Sequence, residues 1–220
     1  MKKYSKSIST SNFKRLLLLL VLLFIYTFTC AFSYVNAVSS NIQDSVFRLH
    51  VIANSDSEED QNLKYIVRDK VLEYINSISG NQSSKEEIIK LANEHIDKIQ
   101  EIAENTIKEN GYNYEVKLNI GNFAFPTKTY GDISFPAGYY DALKIEIGKA
   151  QGQNWWCVMF PPLCFVDVTS GIVPEESKEI IKENLSDEEY ELVSENNNEV
   201  RFKFKIVEMF QNIGIKLAQS

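Results

Sequence analysis

The stretch Asn154–Asp167, NWWCVMFPPLCFVD, limits what this chain can fold into more than any other, because it holds both tryptophans, two of the three cysteines and two of the five prolines. Pro161-Pro162 forces an extended, non-helical bend between two apolar runs. Trp155 and Trp156 are adjacent, so on a strand they point to opposite faces; Trp156 reads as core, and Trp155 as either covered by a helix or exposed. An exposed Trp beside prolines is a contact surface more often than a catalytic part. Cys157 and Cys164 bracket the bend. In an oxidising compartment a disulfide between them closes an eight-residue loop and stabilises the fold by about 2–3 kcal/mol. In a reducing one they remain two free thiols.

The N-terminus bears on the compartment. Lys2, Lys3, Lys6, Lys14 and Arg15 precede an apolar run that begins LLLLLVLLFIY at Leu16, the pattern of a secretion signal. Residues 1–37 are expected to be a signal peptide cut after Val35-Asn36-Ala37. The alternative is an N-terminal membrane anchor, since Leu16 to Val35 carries no charge and is about 30 Å long as a helix. Cys30 follows Thr27-Phe28-Thr29, which does not resemble a lipid-attachment box. Both readings place residues 38–220 outside the cytoplasm as a single secreted domain, with Cys157 and Cys164 as its even pair of cysteines.

Loss of residues 1–37 removes five positive charges and no negative ones, taking the formal charge from -7 to -12. An acidic domain of this kind is repelled by nucleic acid and by anionic lipid. Membrane contact is therefore expected only through the leader or through a membrane-bound partner.

Phe47, Leu49, Val51 and Ala53 alternate with Arg48 and His50, the pattern of a half-buried strand. Ser55-Asp56-Ser57 offers helix caps, and Glu58, Glu59 and Asp60 suit a first turn. That helix runs to about Ser77, with Leu63, Ile66, Val67 and Val71 inward and Lys64 and Arg68 outward. A second helix starts at the Ser84/Glu87 capping box and ends at Asn110-Gly111, with His95 on its apolar stripe. The period then changes to that of strands. Tyr112 to Ile120, a turn at Gly121-Asn122, an edge strand over Phe123–Tyr130, a strand around Leu143–Ile147 and its antiparallel partner Asn154–Phe160 make a central meander of about four strands. Helices are expected after Pro174, after Ser186 and over residues 200–217. The class is α+β, with an N-terminal strand and two helices, the antiparallel meander, and C-terminal helices.

Few residues promise chemistry. G-x-S-x-G, H-E-x-x-H, P-loop and paired-cysteine metal patterns are all missing from the sequence, so no metal, cofactor or catalytic residue is assigned. His50, beside Asn54 and Asp56, is the better placed of the two histidines. An extracytoplasmic hydrolase using His50 with Asp56 or Asp60 is the alternative function, although acids in a first helical turn are normally dipole partners. The expected contact surface comprises His50, Asn54, Asp56 and Asp60 with Trp155, Pro161 and Pro162.

FRLHVIANSDSEEDQNLKYIVRDKV at residues 47–71 together with FPAGYYDALKIEIGKAQGQNWWCVMFPPLCFVD at 135–167 resembles stage II sporulation protein R of endospore-forming bacteria. The resemblance implies a cell-to-cell signal rather than an enzyme. Such a protein is made in the forespore and exported into the space between forespore and mother-cell membranes. There it triggers a membrane-embedded, aspartic-type protease of the mother cell that processes pro-sigma-E. The family supplies no catalytic residues to carry over.

Overall fold

The computed structural model describes residues 10–80, 84–164 and 173–194. The chain divides into two units, Met1–Val38 and Ser39–Ser220. Helix α1 (Thr10–Asp44) carries the apolar leader. Its segment Asn12–Cys30 is long and apolar enough to cross a membrane, and Leu16 to Tyr26 are all exposed.

In the second unit the chain forms β1 (Phe47–Ile52), α2 (Glu58–Ser79), α3 (Lys85–Glu94), α4 (Ile96–Glu109), β2 (Val116–Phe125), β3 (Lys128–Tyr130), β4 (Ile133–Phe135), β5 (Gly138–Ile147), β6 (Asn154–Phe160), α5 (Glu175–Asn184) and α6 (Asp187–Ser194). The expected α+β class is the one observed. The caps are where the sequence puts them: the Asp60 N–H donates to Ser57 Oγ (3.2 Å), and the Glu87 N–H donates to Ser84 Oγ (3.3 Å). Ser186 and Glu189 form a reciprocal box at α6.

The central sheet departs from the expected meander in one way that matters. Its order is β2-β5-β1-β6, so the first strand is inserted between two later ones, parallel to β5 and antiparallel to β6. β6 therefore pairs with β1 and not with β5. A run buried on both faces suits a central position, and every residue of β1 is buried, including Arg48 and His50. The half-buried reading of this strand is thus overturned. The turn expected at Gly121-Asn122 does not form either: β2 continues through it in unbroken register with β5. The edge strand expected over Phe123–Tyr130 is split between the end of β2 and a separate β3–β4 hairpin.

One face of the sheet packs Phe47, Leu49, Val51, Leu143, Ile145 and Cys157 against Leu63, Val67 and Val71 of α2 and Ile99, Ala103 and Ile107 of α4. The single helix expected over 84–110 is two, because His95 leaves the helical conformation between α3 and α4. Its Nδ1 lies 2.7 Å from the Tyr74 hydroxyl, which satisfies the imidazole as a structural group. Two side chains on α2 are reversed from expectation. Lys64 is buried, donating to Gln61 Oε1 (2.5 Å) and to the Gln153 carbonyl (3.0 Å), while Ile66 is exposed. The helix expected over 200–217 lies outside the described residues.

Candidate functional site

The residues singled out from sequence fall into three places. At the C-terminal end of β1, Asn54 Nδ2 (2.8 Å) and Ser55 Oγ (2.5 Å) both donate to Asp60 Oδ2. Asn54 Oδ1 in turn accepts from the Lys149 N–H (3.0 Å). Burial pushes the Asp60 carboxyl up, but hydrogen bonds from Ser55, Asn54 and Tyr114 outweigh it and hold the group below the ordinary carboxylate range. The loop after β5 closes over this network: its Gly152 N–H donates to the Ala53 carbonyl (3.0 Å), and a Cβ on Gly152 would fall on the Ser55 carbonyl. Asn54 and Asp60 are therefore committed to each other and to the fold. Asp56, one residue beyond the network, is exposed.

Trp155 stands nearby at the start of β6, opposite Val51. It is half-buried on the α2 side of the sheet, with its ring against Tyr65 (5.4 Å, edge-on) and under the Arg68 guanidinium (4.3 Å). Aromatic rings stacked with arginine are what partner proteins grip most strongly. Tyr65, one helical turn before Arg68, is exposed and extends the patch. The sequence reading placed Arg68 facing water or a partner but did not join it to Trp155, since nothing in a linear sequence pairs β6 with α2.

Pro161 and Pro162 are not part of this place. The stretch from Trp155 to Phe160 is a strand, as the sequence predicts, and the prolines follow its far end, about 20 Å from its start at strand rise. Pro161 is buried after a cis peptide bond, and the Pro162 carbonyl accepts from Ser177 Oγ (3.1 Å) of α5. The Cys157–Cys164 disulfide is present and closes this end.

His50 occupies the third place, on the face of β1 turned away from α2. Its ring stacks on Trp156 (5.4 Å), and its Nε2 lies 2.7 Å from Asn154 Oδ1. Burial is the main influence on its proton affinity and lowers its pKa, with the Asn154 bond opposing. Two residues earlier on the same face, Arg48 is fully buried. Its guanidinium lies over the rings of Phe125 (4.2 Å) and Tyr140 (4.6 Å), and Nη2 donates to the Tyr130 hydroxyl (2.9 Å). Among the described residues, Arg48 Nε and Nη1, His50 Nδ1 and Trp156 Nε1 have no hydrogen-bond partner. The hairpin of β3 and β4 covers this face: Tyr130 donates onward to the Trp156 carbonyl (3.1 Å), and Lys128 sits over the Trp156 ring (4.7 Å).

The hydrolase alternative needs His50 beside Asp56 or Asp60. His50 and the Asp60 network belong to opposite faces of β1, and Asp60 is already occupied by Asn54 and Ser55. The structure brings neither Asp56 nor Asp60 to the imidazole. Among the described residues there is no group of three or more His, Cys, Asp or Glu side chains arranged to hold a metal ion.

Comparison with known proteins bears on the same region. The family model described as Stage II sporulation protein R matches residues 43–170, which spans β1 through β6. The stage II sporulation protein R of Bacillus subtilis (strain 168) is 40% identical over 143 residues, 64% of this chain and 64% of that protein. The match thus covers a little under two thirds of the relative's length. No solved structure matches the chain. With more than half of its length matched by the family model, this chain belongs to the stage II sporulation protein R family.

Proposed function

We propose that this chain is an exported sporulation signal that activates a membrane-embedded, aspartic-type protease, leading to pro-sigma-E processing. The observation that carries the reading is the combination of family membership with an exposed apolar leader ahead of a folded unit. In this reading residues 1–37 direct export and are cut after Ala37, and residues 38–220 work in the space between forespore and mother-cell membranes. A signal of this type must bind the active state of its protease more tightly than the inactive one, because only differential affinity shifts an equilibrium.

The proposed contact runs through Trp155 and Asp56, with Tyr65 and Arg68 beside Trp155. Purified residues 38–220, mixed with membranes that contain the protease and its pro-sigma substrate, should start processing. Trp155→Ala and Asp56→Ala should each weaken it while thermal unfolding stays near wild type. Wild-type protein that leaves the substrate unprocessed in such membranes would sink the reading. N-terminal sequencing of the protein released by cells should begin at Val38; a chain retained in the membrane with Met1 intact would show an anchor instead.

A further inference from the structure

The expected cut after Ala37 falls inside a helix. α1 runs from Thr10 to Asp44, and that span holds no glycine or proline that would end it earlier. The second unit begins at Ser39, one residue past the expected new N-terminus Val38. The bond to be cut and the start of the folded unit are therefore almost adjacent in the chain.

The residues just beyond the cut are built into that unit. Ser39, Ile42 and Val46 are buried. Asn41 Nδ2 donates to Glu189 Oε1 (2.7 Å), while Glu189 Oε2 accepts from the Ser186 N–H (2.9 Å) to cap α6. Gln43 Nε2 donates to Ser39 Oγ (2.8 Å). The Gln43 side chain also lies so close over Gly138, the first residue of β5, that an added Cβ there would overlap its Nε2. Residues 39–46 thus pack on the start of β5 and bond to the cap of α6.

Whether a bond can be cut depends on the burial and hydrogen bonding of the backbone around it. A peptidase takes its substrate as an extended strand, whereas in α1 about four helical bonds of the i to i−4 kind cross the Ala37–Val38 peptide bond. Drawing residues on both sides of that bond into an extended form lifts Ser39 out of its buried place and breaks its bond with Gln43.

We infer that docking of residues 39–46 closes the processing site at Ala37, so that a membrane-bound signal peptidase removes the leader only while this segment is undocked. Hydrolysis adds water across the Ala37–Val38 bond, leaving a carboxylate on Ala37 of the leader and an ammonium on Val38 of the released domain. A chain that docks first keeps the leader as an anchor. The cut itself rests on the export-leader reading above; the docking that closes it does not.

The test uses the full-length chain, folded in detergent micelles and mixed with purified signal peptidase, with cutting after Ala37 read by mass. Ile42→Ser, which removes the buried anchor of the segment, should be cut at least about tenfold faster than wild type, since cutting tracks the open population. Asn41→Ala removes a single bond to Glu189 and should keep a near wild-type thermal unfolding, so it tests the same point with the fold intact. It should be cut about fivefold faster, the factor for one lost hydrogen bond. Val71→Ala trims a buried side chain of α2 and controls for general loosening; it should be cut at the wild-type rate. Wild type cut as fast as Ile42→Ser and Asn41→Ala, or Val71→Ala accelerated as much as Ile42→Ser, overturns the closure while the leader reading stands. Pulse-labelled chains in cells expose the other failure: if newly made wild type and Ile42→Ser both keep residues 1–37, the leader is an anchor, and the leader reading and the closure fall together.

Discussion

The two faces of β1 solve the same burial problem with opposite chemistry. Phe47, Leu49 and Val51 meet aliphatic side chains of α2 and α4, a dry interface that stabilises through the area removed from water. Arg48 and His50, one residue out of phase, are also buried, but by aromatic rings and a short hairpin, and several of their polar atoms have no partner among the described residues. Alternation along a strand reports which side chains share a face. It does not report whether a face is open, because the cover comes from a segment some eighty residues away, as the Arg48–Tyr130 bond shows.

The largest effect should come from the dry face. Leu49→Ala removes a side chain with no exposure and should cost about 2–5 kcal/mol, read as a lower urea midpoint. A cost under about 1 kcal/mol would mean that this face is not the one that holds the fold.

Next in size is Asp60, which ties the end of β1 to the start of α2. Asp60→Asn should cost about 1–3 kcal/mol at neutral pH, the range for bonds to a charged acceptor. The sign with pH is fixed by the direction of its shift: the folded pKa is lowered from 3.8, so the ionised group stabilises above that value and the benefit is lost as pH falls through the folded pKa. The gap between wild type and Asp60→Asn should therefore close in acid. A gap independent of pH would assign the loss to packing.

Arg48→Met sharpens the comparison, because it makes the second face resemble the first. Its guanidinium is buried against the rings of Phe125 and Tyr140, with the Tyr130 hydroxyl on Nη2 and no carboxylate paired with it among the described residues. Replacing a buried charge with an apolar side chain of similar volume is often neutral or stabilising by about 1–4 kcal/mol. Tyr130 keeps its own bond to the Trp156 carbonyl, so the change strands nothing. The urea midpoint should stay level or rise; a loss near that of Leu49→Ala would show that the charge is required for the hairpin to close.

Much of this molecule was legible because it is written locally. Ser57, Ser84 and Ser186 cap the helices that follow them, and Cys157 and Cys164 are seven residues apart and bridged. What was not legible is non-local. Nothing in Phe47–Ile52 says that it will separate β5 from β6, since the register that does so joins residues about a hundred positions apart. The turn expected at Gly121-Asn122 failed for a related reason. A Gly-Asn pair favours a turn locally, but ten consecutive pairs with β5 hold the backbone extended. For the site, the structure puts Trp155 and Asp56 at one end of the sheet and the prolines past the far end of β6, a separation that the predicted strand over Asn154–Phe160 already implied.

The smallest effect tests whether the polar face responds to acid. His50 is enclosed by the Trp156 and Phe125 rings, with Asn154 on Nε2 and the charges of Lys144, Arg48 and Glu146 around it. Burial acts first and lowers its pKa below the ordinary 6.5, the Asn154 bond acting the other way. The unfolded chain then binds the proton more readily than the folded one, so stability is at its full value above about pH 6.5 and is lost as pH falls from there towards the folded pKa. His50→Gln keeps a polar side chain beside Asn154 and Trp156 but does not titrate. Thermal unfolding of the wild type should therefore weaken between about pH 6.5 and 5 more than that of His50→Gln, because only the wild type carries the titrating imidazole. Parallel curves for the two proteins would show that the imidazole is solvated or paired in its charged form, and that the hairpin does not close this face as tightly as the helices close the other.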